Sequence, residues 1–205
     1  HARIDAVLEA EYLGRVRTAA ASAVATRHLA RAGASTLGVF GCGRQAAAHV
    51  VALRAALPEL ERVVVTCRDA ARLDAFCAEH GCEPGDPSGC DVVVTATTSK
   101  EPVLRGAALR PGATVIGVGA NDLSQRELDD DVLARAAFVC CDSVEQSRLE
   151  AGDLAGVEEL HELQDVVAGA EPGRRGDDEI VVFKSNGLAA WDLAVAAAVA
   201  ATARS

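Results

Sequence analysis

LGVFGCGRQA, residues 37–46, joins a short apolar run to the pattern G-x-G-x-x-A. Gly41 allows a sharp turn out of a strand, Gly43 lets a pyrophosphate approach the backbone because it has no Cβ, and Ala46 lets the next helix pack on the sheet. The N–H groups at the start of that helix attract an anion. The stretch predicts a dinucleotide-binding strand–turn–helix, and the alternative is a tight turn without a ligand.

Short apolar runs and helical stretches alternate along the whole chain. We expect strands at 37–40, 62–66, 91–96, 113–118, 138–141 and 180–183. We expect helices at 16–32, 44–57, 69–80, 127–135, 143–150, 157–168 and 188–203. The strands are apolar throughout, as in parallel strands that helices cover on both faces. The fold class is therefore α/β, with a doubly wound, mostly parallel sheet of the Rossmann type.

Charge and composition exclude several classes of protein. The chain has 20 Lys and Arg against 30 Asp and Glu, a net charge of −10, and only 3% aromatic residues. These values argue against nucleic-acid binding and against a base-stacking platform. The longest apolar run, Leu193 to Ala201, is far shorter than the roughly 20 residues of a membrane span. With no signal-peptide pattern either, we expect a cytoplasmic protein that does not enter membranes.

The seven cysteines are scattered, and no two of them form a C-x-x-C pair. Zinc sites need thiolates clustered at short spacing, so the sequence predicts no metal site. Reduced, mostly buried thiols are the expectation for a cytoplasmic chain. The seven are Cys42, Cys67, Cys77, Cys82, Cys90, Cys140 and Cys141.

The tip of the second strand decides which nicotinamide dinucleotide fits. An NAD site places an acidic residue there to accept from the ribose 2′-OH, but this chain has Cys67 followed by Arg68. A guanidinium can pair with a 2′-phosphate. These residues favour NADP(H), with Arg68 contacting the phosphate. The alternative is that Asp69 turns inward and binds NAD(H).

Six motifs in order resemble the ornithine cyclodeaminase/μ-crystallin family, which includes archaeal alanine dehydrogenases and ketimine reductases. Two of them are R-T-A-A at residues 17–20 and the cofactor turn at residues 41–46 with His49. Two more are D-V-V-V-T-A-T-T-S at residues 91–99 and the stretch at residues 111–129 that ends in R-E-L-D. The last two are Asp142-Ser143 with Glu150, Gly152 and Asp153, and F-K-S-x-G-L-A at residues 183–189.

The resemblance implies roles for residues at these motifs. Arg17 is similar to an arginine that lies between the substrate carboxylate and the cofactor, and Asn121 stands where cyclodeaminases carry a catalytic aspartate. Substrate-binding positions would be Arg17, Asn121 and Gly187. Cofactor-binding positions at these motifs would be Thr18, Gly41, Gly43, Arg44, Gln45, Thr95, Thr97, Val118, Gly119, Ala120 and Ser185. Cys67 and Arg68 are added to them from the tip of the second strand.

Domain organisation and activity are likewise expectations from the resemblance. Residues 1–15 would be a remnant of the family's N-terminal substrate and dimerisation domain, residues 16–187 the Rossmann domain, and residues 188–205 a helix packing on the substrate domain. The expected function is hydride transfer to or from the C=N or C–N carbon of a small imino or amino acid, in a homodimer. A non-catalytic NADPH-binding protein is one alternative. Ornithine cyclisation is the other, and Asn121 disfavours it because an amide cannot act as a general base.

Overall fold

The computed structural model describes residue 4 and residues 6–203, and within them the chain folds as alternating strands and helices. The strands are β1 Thr36–Phe40, β2 Arg62–Thr66, β3 Glu83–Pro84, β4 Val92–Thr95, β5 Thr114–Gly117, β6 Ala136–Cys141, β7 His161–Glu162 and β8 Ile180–Lys184. The helices are α1 Ala10–Leu29, α2 Arg44–Ala56, α3 Ala70–His80, α4 Asp130–Arg135, α5 Val144–Glu150, α6 Leu163–Val167 and α7 Ala189–Thr202. Short 3₁₀ turns lie at Gly106–Ala108 and Gly152–Leu154.

All described strands join one parallel sheet in the order β3-β2-β1-β4-β5-β8-β6-β7. Val39 in β1 pairs with Val65 of β2 on one side and with Val94 of β4 on the other. From β1 the chain therefore winds outward through β2 to β3 at one edge of the sheet. It then crosses back past β1 to β4, which begins the other half of the sheet. The predicted α/β doubly wound sheet is confirmed. A sheet of this kind binds ligands at the carboxyl ends of the strands where the winding reverses, here between β1 and β4.

Two apolar layers cover the sheet, one on each face. Val92 and Val94 of β4 belong to the layer that α1 and α2 complete, whereas Val93 belongs to the layer on the opposite face. Neighbouring strand residues point to opposite faces, so a strand buried on both sides needs an apolar residue at every position. The uninterrupted apolar strands in the sequence have this cause.

Several element bounds differ from the sequence prediction. Helix α1 begins at Ala10 because the Glu9 carboxylate accepts from the N–H groups of Glu11 and Tyr12. It ends at Leu29, short of the predicted residue 32, and it crosses the predicted boundary at residue 15 without a break. The predicted helix at 157–168 is reduced to Leu163–Val167 and preceded by β7. Short two-residue strands such as β3 and β7 carry too little pattern to be predicted.

The two ends of the chain are residues 1–15, predicted to be a remnant of a substrate domain, and residues 188–205, predicted to be a helix. Residues 1–3, 5, 204 and 205 of these segments lie outside the described residues. Helix α7 has no buried residue, and Leu193 and Val199 are 72% and 45% exposed. No helix within the described ranges combines the length and apolarity needed to cross a bilayer.

Candidate functional site

The turn between β1 and α2 has the geometry that the sequence predicts for an anion site. Gly41 has a φ of +112°, and a Cβ there would lie 2.4 Å from the Ala96 carbonyl oxygen. Gly43 is the N-cap of α2, and no described side chain caps its N–H groups. A Cβ built on Gly43 would have no atom within 4 Å. The start of α2 is therefore open to an incoming anion.

Two cavities meet above this turn, at the carboxyl edge of the sheet. One, of about 590 Å³, extends from Gly43 over α1, β5 and β8. The other, of about 510 Å³, extends from Gly43 over the tips of β1 and β2. Ala96, Thr97 and Thr98 line both cavities. Together they form one elongated groove across the point where the winding of the sheet reverses. We call the first the α1 cavity and the second the β2 cavity.

Most of the predicted site residues line this groove. Those on the α1 cavity are Arg17, Thr18, Gly43, Arg44, Gln45, Thr97, Val118, Gly119, Asn121 and Ser185. Those on the β2 cavity are Gly41, Gly43, Cys67, Arg68 and Thr97. Residues from β1, β2, β4, β5 and β8, far apart in the chain, are thus brought to one edge. Their roles in binding stay predictions.

Three predicted residues do not line either cavity. Thr95 is fully buried, and its hydroxyl donates to Glu127 at 2.9 Å. Ala120 is 2% exposed and has a φ of +55°. The N–H of Gly187 donates to the buried Asp142 carboxylate. All three are buried, so their predicted contacts with a ligand stay predictions.

Arg17 is the cation best placed to meet an anionic substrate. Its side chain is only 15% exposed, and its Nε donates to the Asp192 carboxylate at 2.7 Å. The remaining N–H groups of its guanidinium have no partner among the described residues, and they lie against Gly187. A guanidinium with free, parallel N–H groups suits a planar carboxylate. The second predicted cation of this cavity, Arg44, forms an exposed ion pair with Glu11.

Glu127 is a buried carboxylate that the sequence analysis assigned no role. It is fully buried and accepts from the Thr97 N–H at 2.6 Å, the Thr97 hydroxyl at 2.7 Å and the Gly119 N–H at 2.7 Å. Burial raises its pKa, and the hydrogen bonds from Thr97 and Thr95 oppose that rise. The carboxylate joins the end of β4 to the end of β5. The sequence feature that could have indicated a role for Glu127 is its position in the R-E-L-D motif.

Two more buried ionisable groups lie beneath the α1 cavity. Lys184, at the end of β8, donates to Asn121 Oδ1 at 3.0 Å, to the Ser185 carbonyl at 3.3 Å and to the Gly119 carbonyl. Burial lowers its pKa, and nearby carboxylates oppose that change. Asp142 accepts from the Ser185 hydroxyl and the Gly187 N–H, and burial raises its pKa to about 6. Lys184 and Asp142 both belong to motifs that resemble the family, but their spacing in the sequence did not indicate a role for either.

The prediction that every cysteine is reduced is wrong for one pair. Cys42, in the turn after β1, forms a disulfide with Cys67 at the tip of β2, with 5.8 Å between the Cα atoms. The pair is 25 residues apart in the chain, so spacing did not reveal it. β1 and β2 are parallel neighbours whose carboxyl ends meet, and this brings the two thiols together. The other cysteines are free thiols, and all except the half-buried Cys82 are buried.

The fold, the turn and the groove agree with what comparison with protein families finds. The model of the ornithine cyclodeaminase/mu-crystallin family matches residues 4–205. The chain belongs to this family. The resemblance predicted from the six motifs is thereby confirmed.

Individual members of the ornithine cyclodeaminase/mu-crystallin family match nearly the whole chain. The alanine dehydrogenase of Archaeoglobus fulgidus is 34% identical over 95% of this chain. The structure of an archaeal alanine dehydrogenase dimer with bound NAD superposes with a TM-score of 0.87 at 32% identity, over 95% of this chain and 65% of that one. The Thermococcus litoralis Δ1-pyrroline-2-carboxylate reductase, in complex with NADH and L-proline, has a TM-score of 0.86 at 32% identity over 94% of this chain and 65% of that one. The chain spans about 65% of the length of these relatives.

Proposed function

We propose that this chain supplies the nicotinamide-binding domain of an NAD(P)H-dependent oxidoreductase that acts on a small imino or amino acid. The observation that carries the proposal is the groove, which has an uncapped helix N-terminus near its middle and the cations of Arg17 and Arg44 in the α1 cavity. The helix N-terminus suits the pyrophosphate of a dinucleotide, and a guanidinium suits a small carboxylate. Relatives named for an alanine dehydrogenase and a pyrroline-2-carboxylate reductase support the reaction class.

The residues present fit a nicotinamide dinucleotide. The open backbone at Gly43 and the first N–H groups of α2 would hold the pyrophosphate. Val118 and Gly119, on the α1 cavity, would border the nicotinamide. The bound nicotinamide supplies the hydride chemistry, and the chain supplies orientation and charge. Arg17 would neutralise the substrate carboxylate and hold the C=N carbon at the nicotinamide end of the groove.

The β2 cavity favours NADP(H) over NAD(H). Arg68 lines it together with Arg72, and in the proposed complex their guanidinium groups would meet the 2′-phosphate. The Asp69 carboxylate is occupied as the N-cap of α3, because it accepts from the Arg72 N–H at 3.1 Å. It is thus less available to a ribose 2′-OH. Two related structures contain NAD or NADH, and they support the NAD(H) alternative, which the titration below tests.

The other two functions have weaker support. Asn121, in the position of the cyclodeaminase aspartate, carries an amide that cannot take up a proton as a general base. The relatives described above are named as enzymes, so nothing in them favours a non-catalytic binding protein. The dimeric alanine dehydrogenase supports a homodimer. In the proposed organisation, α7 packs on the substrate domain.

Nucleotide titration followed by turnover tests the proposal. The fluorescence of NADPH and NADH is followed as the protein is added, and then NADPH oxidation is measured with Δ1-pyrroline-2-carboxylate in the full-length gene product. We expect saturable binding, with NADPH tighter, and oxidation that depends on the imino acid. Replacing Gly43 with Val should abolish binding of both nucleotides, because a branched side chain would fill the pyrophosphate position. A protein that binds neither nucleotide contradicts the proposal, and one that binds without turnover supports the non-catalytic alternative.

A further inference from the structure

The amide of Asn121 is held in one orientation by two donors. Its Oδ1 accepts from Lys184 Nζ at 3.0 Å and from Asn186 Nδ2 at 3.4 Å. The Oδ1 of Asn186 accepts in turn from the hydroxyl of the buried Ser147 at 3.2 Å. A chain of hydrogen bonds thus runs from Ser147 through Asn186 to Asn121. The ammonium of the buried Lys184 donates to the same Asn121 oxygen.

Lys184 decides which end of the amide faces inward. An ammonium group has three N–H donors and no acceptor, and Lys184 Nζ has three oxygen partners: Asn121 Oδ1 and the carbonyls of Gly119 and Ser185. The Nδ2 of Asn121 cannot take the place of Oδ1, since a donor would then face the ammonium of the buried Lys184. The Asn121 Nδ2 therefore points away from Lys184.

The Nδ2 end of Asn121 is free for a ligand. It makes no hydrogen bond within the described part of the chain, and Asn121 lines the α1 cavity together with Arg17 and Asn186. The free groups of Arg17 and Asn121 both donate. Two free donors suit an acceptor, and of the groups on an imino acid the carboxylate is the strongest acceptor.

We propose that Lys184 is a positioning residue that holds Asn121 as a hydrogen-bond donor to the carboxylate of the imino-acid substrate. The inference rests on the proposed function. It assigns to Asn121 the opposite polarity from the aspartate of cyclodeaminases, whose carboxylate can only accept when ionised. It also names the recognised part of the substrate, a planar carboxylate held between Arg17 and Asn121.

A double-mutant cycle on the full-length gene product tests the inference. The variants are Lys184→Met, Asn121→Leu and the double variant, and each is assayed for the KM of Δ1-pyrroline-2-carboxylate and for NADPH affinity by fluorescence. Loss of one hydrogen bond to a charged group raises KM about tenfold. We expect this rise in each single variant, no further rise in the double variant, and NADPH affinity within about twofold of wild type. If Lys184 merely stabilises the fold, the two effects multiply instead, and that result overturns the inference.

Asn121 itself is exposed, and replacing it provides a second test that does not depend on replacing a buried lysine. Asn121→Asp places a carboxylate against the substrate carboxylate, so we expect a larger rise in KM than with Asn121→Leu. The same variant should reduce the preference for the acid over its carboxamide analogue by at least tenfold. An unchanged preference overturns the inference while the proposed function stands. A wild-type protein that binds NADPH but turns over no imino acid overturns both.

Discussion

At the scale of single residues, the roles in this chain are set by what surrounds each side chain. Arg68 is exposed at the mouth of the β2 cavity and can meet a ligand. His49, by contrast, is fully buried between α1 and α2, with Nε2 2.9 Å from the Ser22 hydroxyl and Nδ1 2.8 Å from the Gln45 carbonyl. Residue type alone does not separate a ligand contact from a buried structural group.

Replacing Arg68 should change nucleotide preference. In Arg68→Ser we expect NADPH affinity to fall about ten- to a hundredfold, since a charge-assisted bond to the 2′-phosphate contributes roughly 1.5–3 kcal/mol. NADH affinity should stay within about threefold. Arg62→Ser is the matched control, because Arg62 starts the same strand at its other end and pairs with Glu83. Equal losses for both nucleotides, measured by fluorescence titration, would contradict the proposed role.

The buried His49 should make stability depend on pH. Burial lowers its pKa from 6.5 to about 4, and the hydrogen bond to the Gln45 carbonyl only partly opposes this. Between these values the unfolded chain binds a proton that the folded protein does not, so stability falls as pH falls from 6.5 towards 4. Between pH 7 and pH 4.5, wild type should lose roughly 2–3 kcal/mol more than His49→Gln. Urea denaturation at the two pH values measures this, and equal losses would show that His49 is not buried in its neutral form.

At the scale of elements, parallel pairing and close packing determine which residues meet. The tips of β1 and β2 bring Cys42 to Cys67, and the ends of β4 and β5 both contact Glu127. A loop also closes over the sheet at Gly38 in β1, where a Cβ would lie 2.2 Å from the Pro87 carbonyl oxygen. Each of these contacts joins elements that are distant in sequence.

Alanine at two glycines should therefore have opposite effects. Gly38→Ala forces the strand and the Pro87 loop apart, and overpacking of this kind costs about 1–3 kcal/mol. Gly14→Ala is the control: Gly14 lies within α1 with no atom within 4 Å of its Cβ position. Alanine there should stabilise the protein by about 0.5–1 kcal/mol through helix propensity. Thermal denaturation of both variants checks the signs, and a neutral Gly38→Ala would refute the close approach.

The disulfide predicts a definite thiol count. Of the seven cysteines, five are free in the structure. A thiol-reactive dye added to protein denatured without reductant should therefore label five cysteines, and seven after reduction. Peptide mapping should locate the bridge at Cys42 and Cys67. In Cys67→Ser, six thiols should react without reductant; a wild-type count of seven would exclude the bridge.

At the scale of the whole molecule, helix α7 is apolar but has no buried residue. Leu193 and Val199 face outward from this helix, whereas the central strands of the sheet are buried between two apolar layers. A contiguous exposed apolar face is typical of surfaces that contact another domain or subunit. The proposed contact of α7 with a substrate domain, and the proposed dimer, would both use such a surface.

Polar substitutions on α7 should separate folding from association. Leu193→Asn with Val199→Asn replaces exposed side chains, so the free energy of unfolding of this chain should change by no more than about 0.5 kcal/mol per site. In the full-length gene product, sedimentation velocity should show weaker association or a less compact protomer. Val51→Asn is the control, since Val51 is 64% exposed on α2. The same sedimentation behaviour in both variants would argue against a docking role for α7.

The sequence by itself determined the fold class, the dinucleotide turn and the family. These depend on local signals: apolar runs that must be buried on both faces, glycines needed at the turn, and motifs in order along the chain. It also identified Arg17, Asn121 and Arg68 as candidates, which the structure places on one groove. Arg17 and Asn121 lie in motifs of the family, so the resemblance identified them, whereas Arg68 was identified from its position at the tip of the second strand.

Only the tertiary structure revealed the buried network and the disulfide. Lys184, Glu127 and Asp142 are ordinary charged residues in sequence, and their burial follows from the meeting of β4, β5, β6 and β8 at one edge of the sheet. The orientation of Asn121 depends on a lysine 63 residues away. The pairing of Cys42 with Cys67 depends on strand neighbours. Contacts between distant elements are set by packing geometry, which spacing along a chain does not encode.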